Sequence, residues 1–174
     1  MKRGMKGGQT WIETVIYTLI ALILIGLVLA FVKPKIEELQ DKAIIEQSIS
    51  VMKSIDSTIL SMGAAGNQRV LEIAIRKGKL QIDGVNNLLY FEIDGKYAYS
   101  EPGAPTIYEG NIAIQTTDIT GGKKVALTRD YAGLYDIQYN EADEVKTLPK
   151  STSPYKLIIS NRGGTPAVIN FEIT

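Results

Sequence analysis

Residues 6–35 read KGGQTWIETVIYTLIALILIGLVLAFVKPK, and from Thr14 to Val32 they carry no charged side chain. Val15 to Val32 is almost wholly apolar. As a helix rising about 1.5 Å per residue, that stretch extends roughly 27 Å, close to the ~30 Å hydrocarbon core of a bilayer. Its apolar residues lie all round the helix and not along one stripe, unlike the core helix of a soluble domain. The run is too long for a secretory signal. Phe31-Val32-Lys33-Pro34 also stands where a small-residue cleavage site would be needed. Lys2, Arg3 and Lys6 precede the run, while Lys33 and Lys35 after it are followed at once by Glu37 and Glu38. The expectation is a membrane span over about residues 14–32, with the N-terminus inside and the C-terminus outside.

Helical periodicity continues beyond the span. In IEELQDKAIIEQSISVMKSIDSTILSM (Ile36 to Met62), Leu39, Ala43, Ile45, Ile49, Met52, Ile55 and Ile59 recur mostly at spacings of three and four. The long helix is therefore expected over 9–61, with an amphipathic extension at 36–61. Pro34, lacking an amide hydrogen, is expected to kink it near the membrane exit. A stripe of this kind needs a partner, either the C-terminal half of the chain or neighbouring copies.

Gly63 to Gln68 (GAAGNQ) breaks the helix, giving a linker at 62–68 and a head at 69–174. There the period changes from 3.6 to 2. Leu71, Ile73 and Ile75 alternate before a turn expected at Lys77-Gly78, with Leu80 and Ile82 beyond it. In LLYFEIDGKYAYS, Asp94-Gly95 offers the two positive-φ residues of a type I′ hairpin. Further strands are expected at Asn111–Thr116, Lys123–Arg129, Leu134–Tyr139, Tyr155–Ser160 and Ala167–Ile173, separated by Gly- and Pro-rich turns. Eight or nine short strands imply a β-sandwich, immunoglobulin-like by strand count alone. The fold class is α+β: a long N-terminal membrane-spanning helix followed by an all-β sandwich head, which should fold by itself.

Composition narrows the chemistry. The 174 residues include no Cys and no His, so no disulfide, zinc site, thiol nucleophile or imidazole base can be assembled. Asp130 and Asp136 flank YAGLY without a catalytic spacing, and no enzyme activity or cofactor is expected. The acidic loop NEADE (Asn140 to Glu144) lacks the alternating ligands and the glycine of a calcium loop, so it reads as a solvated turn and no metal is assigned. Removing Lys2, Arg3 and Lys6 leaves 16 basic against 19 acidic side chains, a balance that does not suggest nucleic acid. Eight of the 9 tyrosines lie from Tyr90 onward. The ordinary role for Tyr90, Tyr97, Tyr99, Tyr135 and Tyr139 is to cover sheet faces with their hydroxyls at the rim. None of the seven asparagines begins an Asn-x-Ser/Thr sequon.

Lys6-Gly7-Gly8-Gln9-Thr10-Trp11-Ile12-Glu13 resembles the class III signal peptide of archaeal type IV pilin-like proteins and archaellins. The resemblance covers the leader and the long helix, about the first 60 residues. It implies that residues 1–8 are a leader cut by a membrane aspartic peptidase between Gly8 and Gln9, and that Glu13 is the family glutamate. It further implies polymerisation with other copies of the chain, helped by a prepilin-type peptidase, a platform membrane protein and an assembly ATPase. The physical logic agrees. Glycines at 7 and 8 let the backbone enter a protease cleft in extended form. Cutting removes the basic residues, keeps the apolar helix and creates an ammonium at Gln9. In a staggered array of parallel helices, the Glu13 carboxylate can meet the ammonium of a neighbour, a pairing that offsets its burial and sets register. The expected function is a structural filament subunit, held in the cytoplasmic membrane as a precursor and then exported to the cell surface. The alternative is a minor pilin, or a single-span binding protein with an extracellular head. Gly8→Val should crowd the extended cleavage site and block cutting; intact mass would then show residues 1–8 retained, where the wild type starts at Gln9.

Overall fold

The computed structural model describes residues 6–174, with side chains from Trp11 onward. Helix α1 (Lys6–Leu60) comes first, followed by ten strands: β1 (Gln68–Ile73), β2 (Lys79–Asp83), β3 (Leu88–Gly95), β4 (Ile107–Glu109), β5 (Ile112–Ile119), β6 (Gly122–Asp130), β7 (Tyr135–Tyr139), β8 (Val145–Pro149), β9 (Tyr155–Gly163) and β10 (Ala167–Ile173). They form a four-stranded sheet in the order β1-β9-β10-β7 and a six-stranded sheet in the order β4-β5-β6-β3-β2-β8. Pairing is antiparallel except between β10 and β7. A long apolar helix followed by a two-sheet β domain is the α+β arrangement expected from the sequence.

The chain divides into two compact units, one ending at Leu39 and the other running from Gln40 to Thr174. The second unit thus includes the last third of α1. On that part of the helix Asp41, Ile45, Ser48, Ile49, Met52, Ile55, Asp56 and Ile59 are buried, repeating at three and four. Leu39 and Ala43, expected on this stripe, are exposed, and Asp41 takes a stripe position instead. The aliphatic members join Met62 in one cluster with strand residues of both sheets, among them Leu80, Phe91, Leu127, Leu157, Ile159 and Phe171. The stripe's partner is therefore this chain's own head. These five helix residues and Met62, each worth about 1.5–3 kcal/mol on full burial, contribute roughly 9–18 kcal/mol gross. That equals or exceeds the ~5–15 kcal/mol net stability of a typical domain.

Two turn expectations fail, for identifiable reasons. Asp94 and Gly95 end β3, paired with Lys124 and Lys123, and form no hairpin. A Cβ on Gly95 would lie 2.5 Å from Asp41 Oδ2, so the glycine admits a helix carboxylate and not a reversal of the chain. The β2–β3 hairpin turns at Gly84 to Asn87, with Asn87 at φ 55°. The bend at Lys77-Gly78 also joins no hairpin: it carries the chain from β1 in one sheet to β2 in the other. Alternation reports a strand's faces but not its neighbours. Strands β4 and β8 were not foreseen; the first has three residues, and the second ends in Pro149.

The remaining assignments follow the pattern more closely. Ala167–Ile173 is a strand with the expected bounds. Residues 140–144 form an exposed turn after β7, with Asn140 at φ 49° and Glu141 at φ 64°. Tyr131 and Tyr139 are core residues, while Tyr97, Tyr99, Tyr135 and Tyr155 pack half-buried against the core.

A chain starting at Gln40 should therefore fold cooperatively, whereas residues 69–174 alone should aggregate or stay unfolded. Size-exclusion chromatography with thermal circular dichroism checks both; a cooperative melt from the shorter fragment would show that the helix face is dispensable.

Candidate functional site: the N-terminal helix

From Trp11 to Val32 every side chain of α1 is exposed. By length and composition this is a helix able to cross a membrane. The Thr18 hydroxyl donates to the carbonyls of Thr14 (2.7 Å) and Val15 (3.0 Å), so it needs no partner from outside the helix. Trp11 and Tyr17, both about 70% exposed, sit toward the start of the run, where aromatic side chains suit a headgroup boundary. Beyond it, Lys35 donates to Glu38 at 2.6 Å.

Gly8 and Gln9 lie in the helical backbone of α1, which begins at Lys6; their surroundings fall outside the described side chains, and residues 1–5 of the expected leader fall outside the described residues. Glu13 is exposed, four residues past Gln9 and so on the same helical face. Among the described residues it makes no ion pair. Pro34 stands inside α1 and the helix continues across it. Because Pro34 has no amide hydrogen, the carbonyl of Ala30 loses its usual helical donor.

The part of α1 from Asp41 onward is held to the strands by three carboxylate sites that the sequence reading missed. Asp56 Oδ1 accepts from Arg129 Nε at 2.6 Å and from the Tyr131 hydroxyl at 3.1 Å, and Oδ2 accepts from Asn111 Nδ2 at 3.1 Å. Asp56 and Arg129 are both over nine-tenths buried. The Arg129 guanidinium lies 4.4 Å from the Tyr131 ring centre, a cation–π distance. Burial, with the Asp56 carboxylate beside it, raises the Tyr131 hydroxyl well above its ordinary pKa. Asp41 accepts from Lys77 Nζ and, at 2.6 Å, from the Lys96 amide. Lys53 donates to Glu109 at 2.6 Å, and Tyr99 donates to the same carboxylate. The hydrogen bond from Lys53, then that from Tyr99, lowers the Glu109 pKa; the bond to Glu109, with burial, pushes Tyr99 up to about 12. On β3, ion-paired hydrogen bonding from Lys79 holds Glu92 below the usual carboxylate range.

These sites position the helix; among the described residues no three acidic side chains cluster as metal ligands would. Asp130 Oδ1 accepts from the Ala132 amide at 2.8 Å, which is turn chemistry. The missed residues did leave one signal. Asp41 and Asp56 fall in register with Ile45, Met52 and Ile59, and a carboxylate on an apolar stripe implies a buried partner. Comparison with protein-family models, curated proteins and solved structures finds no match to this chain.

Asp56→Ala leaves Arg129 buried without its counter-charge and should cost about 3–5 kcal/mol in urea unfolding. Lys42→Ala removes an exposed pair with Glu46 at 3.9 Å and a 6.0 Å approach to the Tyr97 ring centre, and should cost no more than about 1 kcal/mol. Equal effects would mean that the Asp56 site does not hold the helix.

Proposed function

We propose that this chain is a structural subunit of an archaeal type IV pilus-like extracellular filament, polymerised through its N-terminal helix. The observation that carries this reading is the contrast along α1. Its face from Asp41 onward is consumed by the head, whereas Trp11 to Val32 leaves every side chain exposed. A surface so apolar has to be covered, by lipid in the precursor and by neighbouring helices in the polymer.

On this reading the precursor sits N-in, C-out in the cytoplasmic membrane, and a prepilin-type peptidase cuts it between Gly8 and Gln9. Cutting requires the first turn of α1 to open. Gly7 and Gly8, each about 1 kcal/mol worse than Ala in a helix, keep that opening cheap. A platform protein and an ATPase then drive extraction. The Gln9 ammonium pairs with Glu13 of a neighbouring copy, while the head, immunoglobulin-like in strand number only, coats a cell-surface filament. The second reading, a minor pilin or a singly anchored binding protein, draws on the same exposed helix but gives Glu13 no partner.

Glu13→Ala separates the two. In a filament subunit, loss of a paired buried carboxylate costs about 3–5 kcal/mol at docking. The variant should insert and be cut yet accumulate in the membrane with few filaments. In a simple anchor the change removes a charge from the membrane edge and should be neutral or mildly favourable. Fractionation of membrane and sheared surface material reads the difference. Normal filament yield would rule out the role given to Glu13, and a wild type never found outside the membrane would favour the anchor.

A further inference from the structure

Two sheets present four edge strands, and three of them are closed by the chain itself. Along β7, the Ile137 amide donates to Asn87 Oδ1 at 2.7 Å, and the turn at Gly84 lies so near the Ile137 carbonyl that an added Cβ would sit 2.8 Å from it. β8 ends in Pro149, which has no amide hydrogen, between Lys146 and Lys150. β4 is three residues long. Proline, lysine, brevity and a covering loop are the usual protections of a sheet edge. β1, six residues long, has no proline, no lysine and, among the described residues, no covering loop; Arg69 and Glu72 are its charges.

β1 pairs with β9 on one side only. The Asn161 amide donates to the Asn67 carbonyl at 2.9 Å, which sets the alternation of the ladder. Residues 69, 71 and 73 turn their backbone toward β9, and Gln68, Val70 and Glu72 turn theirs away. On that outer side, only the Gln68 carbonyl has a partner among the described residues, Nη1 of Arg69 at 3.1 Å. Val70 is 60% exposed and sits opposite half-buried Ile158.

We propose that two copies of this chain join through β1, strand to strand and antiparallel, about a two-fold axis normal to the sheet. The occupant is a second copy because β1 complements itself in backbone, face and side chain at one register. With Val70 opposite the second Val70, Gln68 lies opposite Glu72. All three pairs are of the hydrogen-bonded kind, so the outward donors and acceptors of 68, 70 and 72, free but for the Gln68 carbonyl, satisfy one another. A two-fold normal to the sheet keeps each face on its own side. The Gln68 amide then meets the Glu72 carboxylate across the seam, and the two valines extend the apolar strip begun by Ile158. The four-stranded sheets become one of eight strands, and the most exposed edge disappears. A two-fold contact closes on itself and makes pairs, not polymers; it stands independently of the filament reading.

The chain contains no cysteine, so an introduced thiol reports alone. Opposed Cα atoms in a hydrogen-bonded antiparallel pair lie about 5.5 Å apart, inside the ~4.4–6.8 Å range of a disulfide. Under mild oxidation in membranes, full-length Val70→Cys should run as a dimer on a non-reducing gel. Val85→Cys, equally exposed at 63% on the β2–β3 turn, should remain monomeric. Gln68→Cys and Glu72→Cys should cross-link when co-expressed and not when expressed singly, which tests the register. Three results would overturn the pairing: no Val70→Cys dimer, a dimer matched by Val85→Cys, or a Val70→Cys thiol shielded from maleimide without dimerising, the mark of a different occupant.

Discussion

Ile45, Ile49, Met52, Ile55, Ile59 and Met62 leave water only where strands of both sheets meet the end of α1, and this burial constrains everything after it in the chain. A helix face of that size cannot be left exposed, and a two-sheet domain of about a hundred residues gains a large part of its apolar core from it. The buried ion pair of Asp56 and Arg129 adds little net stability of its own, since desolvation offsets most of its Coulombic gain. What it adds is register. A helix one residue out of place would bury a carboxylate without its donors, a cost far larger than a slipped Ile–Ile contact. Aliphatic burial supplies the energy of the helix–strand union, and the carboxylates choose its alignment.

How far the sequence revealed this depends on whether a feature is local. The apolar run, the helix that continues it and most strands were legible, because periodicity records what each element buries. Ala167–Ile173 could be bounded from its own pattern and the residues on either side. Pairing was not legible. Asp94-Gly95 has the composition of a hairpin turn, yet its glycine answers to Asp41, more than fifty positions earlier in the chain. The bend at Lys77-Gly78 looks like a reversal, yet β1 finds its neighbour in β9. The boundary of the head was displaced for the same reason: GAAGNQ marks the end of a helix, and the core does not stop where the helix does. For the N-terminal segment, composition announces an apolar surface and the resemblance of residues 6–13 supplies a use for it. Whether Glu13 meets a neighbour's ammonium depends on a second copy, which the sequence and fold of one chain do not contain.

Two kinds of unfinished surface coexist in this molecule. From Trp11 to Val32 the side chains stand exposed, while the backbone, apart from the Ala30 carbonyl below Pro34, is bonded within the helix. Along β1 the reverse holds, since the side chains are mixed and the backbone is what remains open. The first surface can be covered by anything apolar, lipid included, whereas the second is satisfied only by another extended strand or by water. The helix can therefore exchange one covering for another at modest cost, and the edge selects its partner by geometry.

The strand order of the smaller sheet also dictates a sequence of events during synthesis. β10 lies between β9 and β7 and is the only strand joining them, yet it follows both in the chain. While the ribosome is still making residues 167–173, β7 has no neighbour in its sheet and the Ile169 and Phe171 positions of the core are empty. The helix, in contrast, is complete more than a hundred residues earlier. Its apolar run must be sheltered while the head that will hold its other half does not yet exist. Contacts this distant in sequence form slowly, so the core around the helix is completed only after β10 has been made.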